Sequence, residues 1–176
     1  MNHDEAFASW AREHSPGLLR RATMLCGERQ QAEDLVQETL VKMFLGWRHV
    51  DLDRSPVGYA HKTLFRVFLS HRRKRSSSEV VSSILPDRPK NDPDSTLRLD
   101  LLAALQTLPP KQRYLVVARY LDDCSVSEVA ESMHTSEAWV RVNAHRALHK
   151  LRDSPFMAVE PTLTNPLPAP KDRAHG

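Results

Sequence analysis

SVSEVAESMHTSEAWVRVNAHRALHKL, residues 125–151, sets two short apolar stripes on either side of His134-Thr135-Ser136 and places Arg141, Arg146 and Lys150 in the second. Ser125 followed by Glu128 is a capping-box pattern at a helix start. Val126, Val129, Ala130 and Met133 then give one apolar face over about two turns. Ser136 is placed to cap a second helix whose inward face is Val140, Ala144, Ala147, Leu148 and Leu151. A short helix, a tight turn and a longer helix form the helix-turn-helix arrangement. Ala130 is small where the two helices would cross, and Val140 fills the angle between them. The turn position usually given to Gly is His134, so the reading requires a positive φ at a residue that is among the more tolerant of it.

In such a unit the second helix enters the DNA major groove by its N-terminal half. The outward residues there are Glu137, Arg141, Val142 and His145, with Asn143 nearer the edge. Arginine can bond guanine bidentately and valine can touch a thymine methyl. Arg146, Lys150 and Arg152 are better placed for phosphates, which fix register without reading sequence. Trp139 either packs against the preceding helix, the favoured reading, or lies on the DNA backbone with its N–H to a phosphate. A helical hairpin with a solvated basic face would also carry arginines, but the cap, the turn spacing and the small residue agree with them on DNA binding. One helix-turn-helix alone leaves repressor, activator and nucleoid protein open.

The rest of the chain narrows the choice. Its 176 residues are 40% apolar and 27% charged, with a mean hydropathy of −0.49, which describes a soluble protein with room for one domain or two small ones. No apolar run approaches the roughly 20 residues of a membrane span, so no membrane insertion is expected. MNHDEAFASWAREH lacks the pattern of a signal peptide, and the cytoplasm is the expected location. Cys26 and Cys124 lie far apart and read as unpaired thiols in a reducing compartment. The nine histidines form no HExxH pair and the five glycines no phosphate loop, so no catalytic residue, metal site or cofactor is expected. Charge is uneven. From Arg54 to Arg75 there are seven Lys/Arg and no acid, ending Arg72-Arg73-Lys74-Arg75, whereas Glu28, Glu33, Asp34 and Glu38 crowd one segment. That asymmetry points to one anionic and one basic partner.

Residues 4–14 read as a first helix and Pro16 to Cys26 as a second, stopped by Gly27. In AEDLVQETLVKMFLGW, 32–47, Val36, Leu40, Met43 and Trp47, flanked by Leu35 and Phe44, follow helical spacing. The opposite face carries Asp34, Gln37, Glu38 and Lys42; Glu38 and Lys42 at i,i+4 can pair for a few tenths of a kcal/mol. Residues 47–54 read as a loop, and Ser55-Pro56 as the start of a helix running to about Arg75. Its apolar positions are Ala60, Leu64, Val67 and Phe68; Phe65 and Phe68 are expected in the core. Residues 76–94 have a linker composition, with a small apolar island at Val80-Val81-Ile84-Leu85. Helical spacing resumes at Leu97, Leu101, Leu105 and Leu108, and Pro109-Pro110 opens another helix, KQRYLVVARYL. After Ser154 five prolines fall in 22 residues, which reads as a disordered tail. The fold class is therefore all-α: a first unit over 1–75, a linker over 76–94, a second unit over 95–153 and a tail over 154–176.

AEDLVQETLVKMFLGW, a basic helix ending RRKR, a linker, then LQTLPPKQRYLVVARYLDDCSVSEVAESM and ALHKLR resemble a sigma factor of the extracytoplasmic-function group in the sigma-70 family, over about residues 5–153. The resemblance implies two small helical domains, the second a helix-turn-helix domain of the winged-helix-like, sigma region 4 kind, that direct bacterial RNA polymerase core to promoters. It implies that Asp34, Gln37 and Glu38 dock on the β′ clamp helices, and that the second domain meets the β flap. It assigns −10 promoter capture and melting to Arg48, His49, Asp51 and Asp53 near the loop and to Tyr59, His61, Lys62 and Arg66 along the helix. Arg72, Arg73 and Lys74 would hold duplex phosphates upstream. The −35 element would be met by Glu137, Arg141, Val142, Asn143, His145, Arg146 and Lys150. An anti-sigma protein is implied as a further partner. His134, Trp139 and Val142 depart from the usual Gly, Thr and Ser of the family, so no promoter sequence is carried over.

Two rivals belong to other classes. An ordinary helix-turn-helix regulator leaves the acidic 32–47 face and the separate basic helix unexplained. A nucleic-acid enzyme requires a carboxylate or His/Cys cluster that the sequence does not display.

Overall fold

The computed structural model describes residues 2–49, 55–77 and 93–157. Asp51 and Asp53, the apolar island at 80–85 with most of the expected linker, and the tail from residue 158 onward lie outside the described residues.

Helix α1 (His3–Cys26) starts on a capping box between Asn2 and Glu5 and ends at Gly27, whose φ of 77° suits a residue without Cβ. The sequence reading divided this segment at Pro16. The structure corrects that, because Pro16 lies inside one continuous helix. An interior proline removes one ladder bond and costs about 3 kcal/mol. Packing on both sides offsets it: Phe7 meets Trp47 edge-on and Trp10 lies tilted against it, at 5.2 and 5.4 Å between ring centroids, and Leu18, Ala22 and Leu25 are buried beyond the proline.

Helix α2 (Arg29–Gly46) buries Ala32, Leu35, Val36, Thr39 and Met43 against α1, and a short 3-10 turn over Trp47–His49 follows with Trp47 buried. Phe44, counted with the apolar face from its spacing, is instead 45% exposed. Ser55 precedes α3 (Pro56–Ser77), and its Oγ accepts the Gly58 N–H at 3.3 Å. Ala60, Leu64, Phe65, Val67 and Phe68 are buried there.

Helix α4 (Pro93–Gln106) buries Ala104 and Leu105, with Leu108 just beyond, but Leu97 is exposed although it keeps the spacing. Helix α5 (Pro110–Val116) opens with proline at its first position. It passes into a π-helical turn over Val117–Leu121, where the Asp122 N–H reaches the Val117 carbonyl at 3.1 Å. The helix-turn-helix is α6 (Val126–Met133) and α7 (Glu137–Arg152). Ser125 and Glu128 make the expected reciprocal cap, and His134 sits in the left-handed region at φ 52°, ψ 49°. Ser136 Oγ accepts the Trp139 N–H. Val140, Ala144, Ala147 and Leu151 face inward, whereas Leu148, read as inward, is 39% exposed.

Among the described residues there is no strand. The buried side chains of the two halves form one continuous core, with Phe65 of α3 against Tyr114 of α5 at 4.3 Å between ring centroids. Cys26 lies in this junction, and burial pushes its thiol up to about 11 despite the nearby Arg113, Arg75 and Arg72.

Candidate nucleic-acid and polymerase interfaces

The outer face of α2 is a single stripe. At 3.6 residues per turn Asp34, Glu38, Val41 and Leu45 fall within about 40° of one line, with Gln37 beside them. Asp34 and Gln37 are exposed, Val41 is 53% and Leu45 74% exposed. Glu38 is partly held: Lys42 lies at 3.7 Å, and His71 of α3 donates to its other oxygen at 2.6 Å. The His71 hydrogen bond keeps the Glu38 carboxyl below the usual carboxylate range. Sequence reasoning found the polar half of this stripe and missed Val41 and Leu45. Their signal was present, since both fall on the polar side of the helical wheel. Two large aliphatic groups in water beside two carboxylates suit a partner helix that presents apolar and basic side chains together.

Along α3 the predicted residues divide into two groups. His49, Tyr59, His61 and Lys62 line one cleft of about 830 Å³, shared with Arg21, Tyr114, Asp122 and Glu131. Arg48 is exposed in the turn before it. Tyr59 covers Gly46, where an added Cβ would stand 2.9 Å from the tyrosine oxygen. His61 is half-buried; desolvation, with Arg21 and then His14 nearby, lowers its pKa to about 3, so the ring is neutral at ordinary pH. Lys62 donates to Glu131 of α6, and Arg66 donates to His134 Nε2 at 2.7 Å. Arg72, Arg73 and Lys74 form the second group, exposed near the end of α3. That end is held by Arg75 donating to Gln31 of α2 at 2.6 Å.

On α7, Glu137 and Arg141 pair at 2.9 Å, and Val142, His145 and Arg146 are exposed beside them. Asn143 is turned inward. It donates to the Trp139 carbonyl at 3.0 Å and receives a 3.4 Å bond from Gln112 of α5. Lys150 also reaches Gln112, at 3.2 Å. Asn143 and Lys150 thus anchor α7 on α5, while Arg141, Val142, His145 and Arg146 form the open surface. Trp139 packs against the core as expected.

Two buried arginines position these surfaces, and sequence reasoning passed over both. Arg113, 2% exposed, donates to the Leu25, Leu105, Leu108 and Gln106 carbonyls at 2.6, 2.9, 3.0 and 3.3 Å. It collects carbonyls at the ends of α1 and α4 and just beyond α4, and burial draws its pKa down to about 10, which leaves it charged at neutral pH. Arg21, also 2% exposed, meets Asp122 at 2.6 Å, with Tyr114 Oη and Cys124 Sγ each at 3.5 Å. Arginine patterns on helices ordinarily mean surface, and spacing alone carries no sign of these two sites.

The described residues include no group of three or more potential metal ligands and no helix long and apolar enough to cross a membrane. Residues 10–78 match the family described as sigma-70 region 2, and residues 98–151 that described as sigma-70, region 4. The RNA polymerase sigma-E factor of Streptomyces coelicolor is 30% identical over 152 residues, covering 84% of each chain. The sigma-E factor of Streptomyces avermitilis is 31% identical over 160 residues, 87% of this chain and 88% of its own. The ECF RNA polymerase sigma factor SigF of Caulobacter vibrioides is 33% identical over 135 residues, 73% of each. Among solved structures, the sigma factor RpoE of Bartonella quintana, in complex with the anti-sigma factor NepR, matches with a TM-score of 0.70 at 22% identity, over 89% of this chain and 99% of its own. CnrH, in complex with the cytosolic domain of CnrY, matches with a TM-score of 0.65 at 20% identity, over 85% and 87%. The fold is thus shared with both, and the sequence relatives carry the assignment further: the chain belongs to the extracytoplasmic-function group of the sigma-70 family of RNA polymerase sigma factors, which act in promoter-specific transcription initiation.

Proposed function

We propose that this sigma factor divides its work between residues 1–75, which dock on core polymerase and capture the −10 element, and residues 95–153, which meet the −35 element and the β flap, with 76–94 as the link. The α2 stripe carries this reading, because two exposed aliphatic side chains beside Asp34, Gln37 and Glu38 have no role in the fold and fit the β′ clamp helices. Arg48, His49, Tyr59, His61, Lys62 and Arg66, with Asp51 and Asp53 of the preceding loop, serve the −10 strand; Arg72, Arg73 and Lys74 serve upstream phosphates. A basic groove beside an aromatic ring is what an unstacked single strand needs. In α7, Arg141 and Val142 read bases with Glu137 and His145 beside them; Arg146 and Lys150 hold phosphates, and Asn143 orients the helix. The protein works in the cytoplasm as a non-catalytic subunit of the polymerase. The two solved relatives were each captured with a protein bound, an anti-sigma factor in the first case, and an anti-sigma partner follows for this chain.

The test is run-off transcription with purified bacterial core polymerase on a promoter pool. Wild type is expected to give specific starts; Asp34→Arg/Glu38→Arg and, independently, Val41→Glu/Leu45→Glu are expected to lose them by more than tenfold with folding intact. Full activity in both variants would remove α2 from the docking surface. Tight sequence-specific duplex binding without core, and no starts from any template, would favour the ordinary regulator.

A further inference from the structure

One pair of side chains on α7 has a chemistry that DNA contact does not use. His145 and His149 lie one turn apart on its exposed face, with their Nε2 atoms 2.9 Å from one another and the rings edge-on at 4.4 Å between centroids. Arg152 donates to His149 Nδ1 at 2.9 Å. A guanidinium only donates, so His149 Nδ1 carries a lone pair, its Nε2 carries the proton, and His145 Nε2 accepts that proton. One proton thus stands between two nitrogens, each of which is a metal-ligand atom in the neutral imidazole.

The spacing is that of the two histidines of HExxH, where imidazoles at i and i+4 hold a metal from one face of a helix. Arg146 stands where that motif has its Glu. The pair therefore lacks the general base of a hydrolase and is equipped to bind an ion rather than to activate water. Separation selects among ions. Two metal–nitrogen bonds of about 2.05 Å at a tetrahedral angle place the nitrogens about 3.3 Å apart, whereas a right angle places them about 2.9 Å apart. Right angles belong to tetragonal sites, the geometry of copper(II) and nickel(II). His149 is in the last turn of α7, where the negative end of the helix dipole favours a cation.

We propose that His145 and His149 form a two-nitrogen site on α7 for a divalent transition ion of the copper(II) or nickel(II) class, the ion taking the place of the proton between them. Water fills the remaining positions. Loading moves the His149 proton from Nε2 to Nδ1 through solvent, so no proton is lost. Arg152 then faces an N–H in place of a lone pair and turns toward Asp153, which its Nε already meets at 3.4 Å. Arg152 is thus the ion's competitor. The site goes beyond promoter recognition and does not depend on α7 meeting DNA.

The experiment titrates the full chain with Cu2+ alone, without polymerase or DNA, and reads binding by calorimetry and nitrogen couplings by electron paramagnetic resonance. The reference protein carries His3→Gln, because the unpartnered Nε2 of His3 would compete. One ion is expected to bind it with two nitrogens coupled. His145→Gln and His149→Gln are each expected to weaken binding about tenfold or more, and the double variant no further than either single one, because a chelate fails when either arm is lost. Arg152→Ala is expected to strengthen it about twofold or more by removing the competing donor and its charge. All three side chains are exposed, and unchanged circular dichroism checks that the fold is kept. Both single variants within about twofold of the reference, or losses that add in the double variant, overturn the site. Zn2+ bound as tightly as Cu2+ overturns the right-angle geometry and with it the class of ion.

Discussion

Replacing Arg113 by methionine keeps much of the apolar stem and removes every donor from a site that is 2% exposed. Four carbonyls lose a charge-assisted hydrogen bond. Leu105 O retains the Leu108 N–H at 3.1 Å, so the main cost falls on the carbonyls of Leu25, Gln106 and Leu108. A buried acceptor stripped of its partner costs about 1–3 kcal/mol. The 3.3 Å bond to Gln106 is the weakest of the set, and water can reach part of a helix end. Removing a buried charge returns some desolvation energy. The net loss is about 3 kcal/mol, which shifts a urea midpoint by about 1.5 M at a slope of about 2 kcal/mol per molar. Arg113→Lys should recover less than half, because an ammonium has three donors and no planar fork. The assay is urea unfolding followed by circular dichroism. A loss below about 1 kcal/mol, or a gain such as apolar replacement of buried ion pairs can give, would refute the view that Arg113 stabilises by collecting helix-end carbonyls.

The neutral His61 makes stability depend on acid. Its folded pKa of about 3 lies below the ordinary 6.5, so the unfolded chain takes the proton first; the contribution is complete above pH 6.5 and is lost progressively as pH falls toward 3. Urea midpoints of wild type should decline over that range more steeply than those of His61→Gln, and parallel declines would show that other groups dominate. Ser125→Ala removes one half of the α6 capping box and should cost about 1 kcal/mol, against a few tenths for Ser125→Gly; equal unfolding midpoints for the two variants would count against the cap.

The helix-turn-helix was legible because its signals are local. Ser125 with Glu128, Ser136 with the Trp139 N–H and the positive φ at His134 all act within a few residues, and the structure contains each. Helix existence was legible from spacing for the same reason. Burial was less so. Periodicity identifies an apolar position but does not say that something lies opposite it, and Phe44, Leu97 and Leu148 keep the spacing while remaining exposed. Pro16 misled because a local breaker was outweighed by packing along the whole of α1, a sum over distant residues. The predicted site residues were found as surfaces rather than as contacts. Nothing in the run from Arg54 to Arg75 indicates that Arg66 meets a histidine 68 positions later, or that Arg21 and Arg113 are interior. Those facts depend on how the two halves meet, which no single segment encodes.

The raised pKa of Cys26 has a practical consequence. At pH 8 a thiol with a pKa of about 11 is ionised in roughly one molecule per thousand, and the thiolate is the species that alkylating reagents attack. Cys26 also lines a small cleft with Phe68 and Arg72 at the junction of α1 and α3. Its modification in the native chain is therefore slow until that junction parts, after which the side chain returns to ordinary reactivity. A maleimide added to a Cys124→Ser variant, in which Cys26 is the one thiol left, thus serves as a clock for local opening around Cys26.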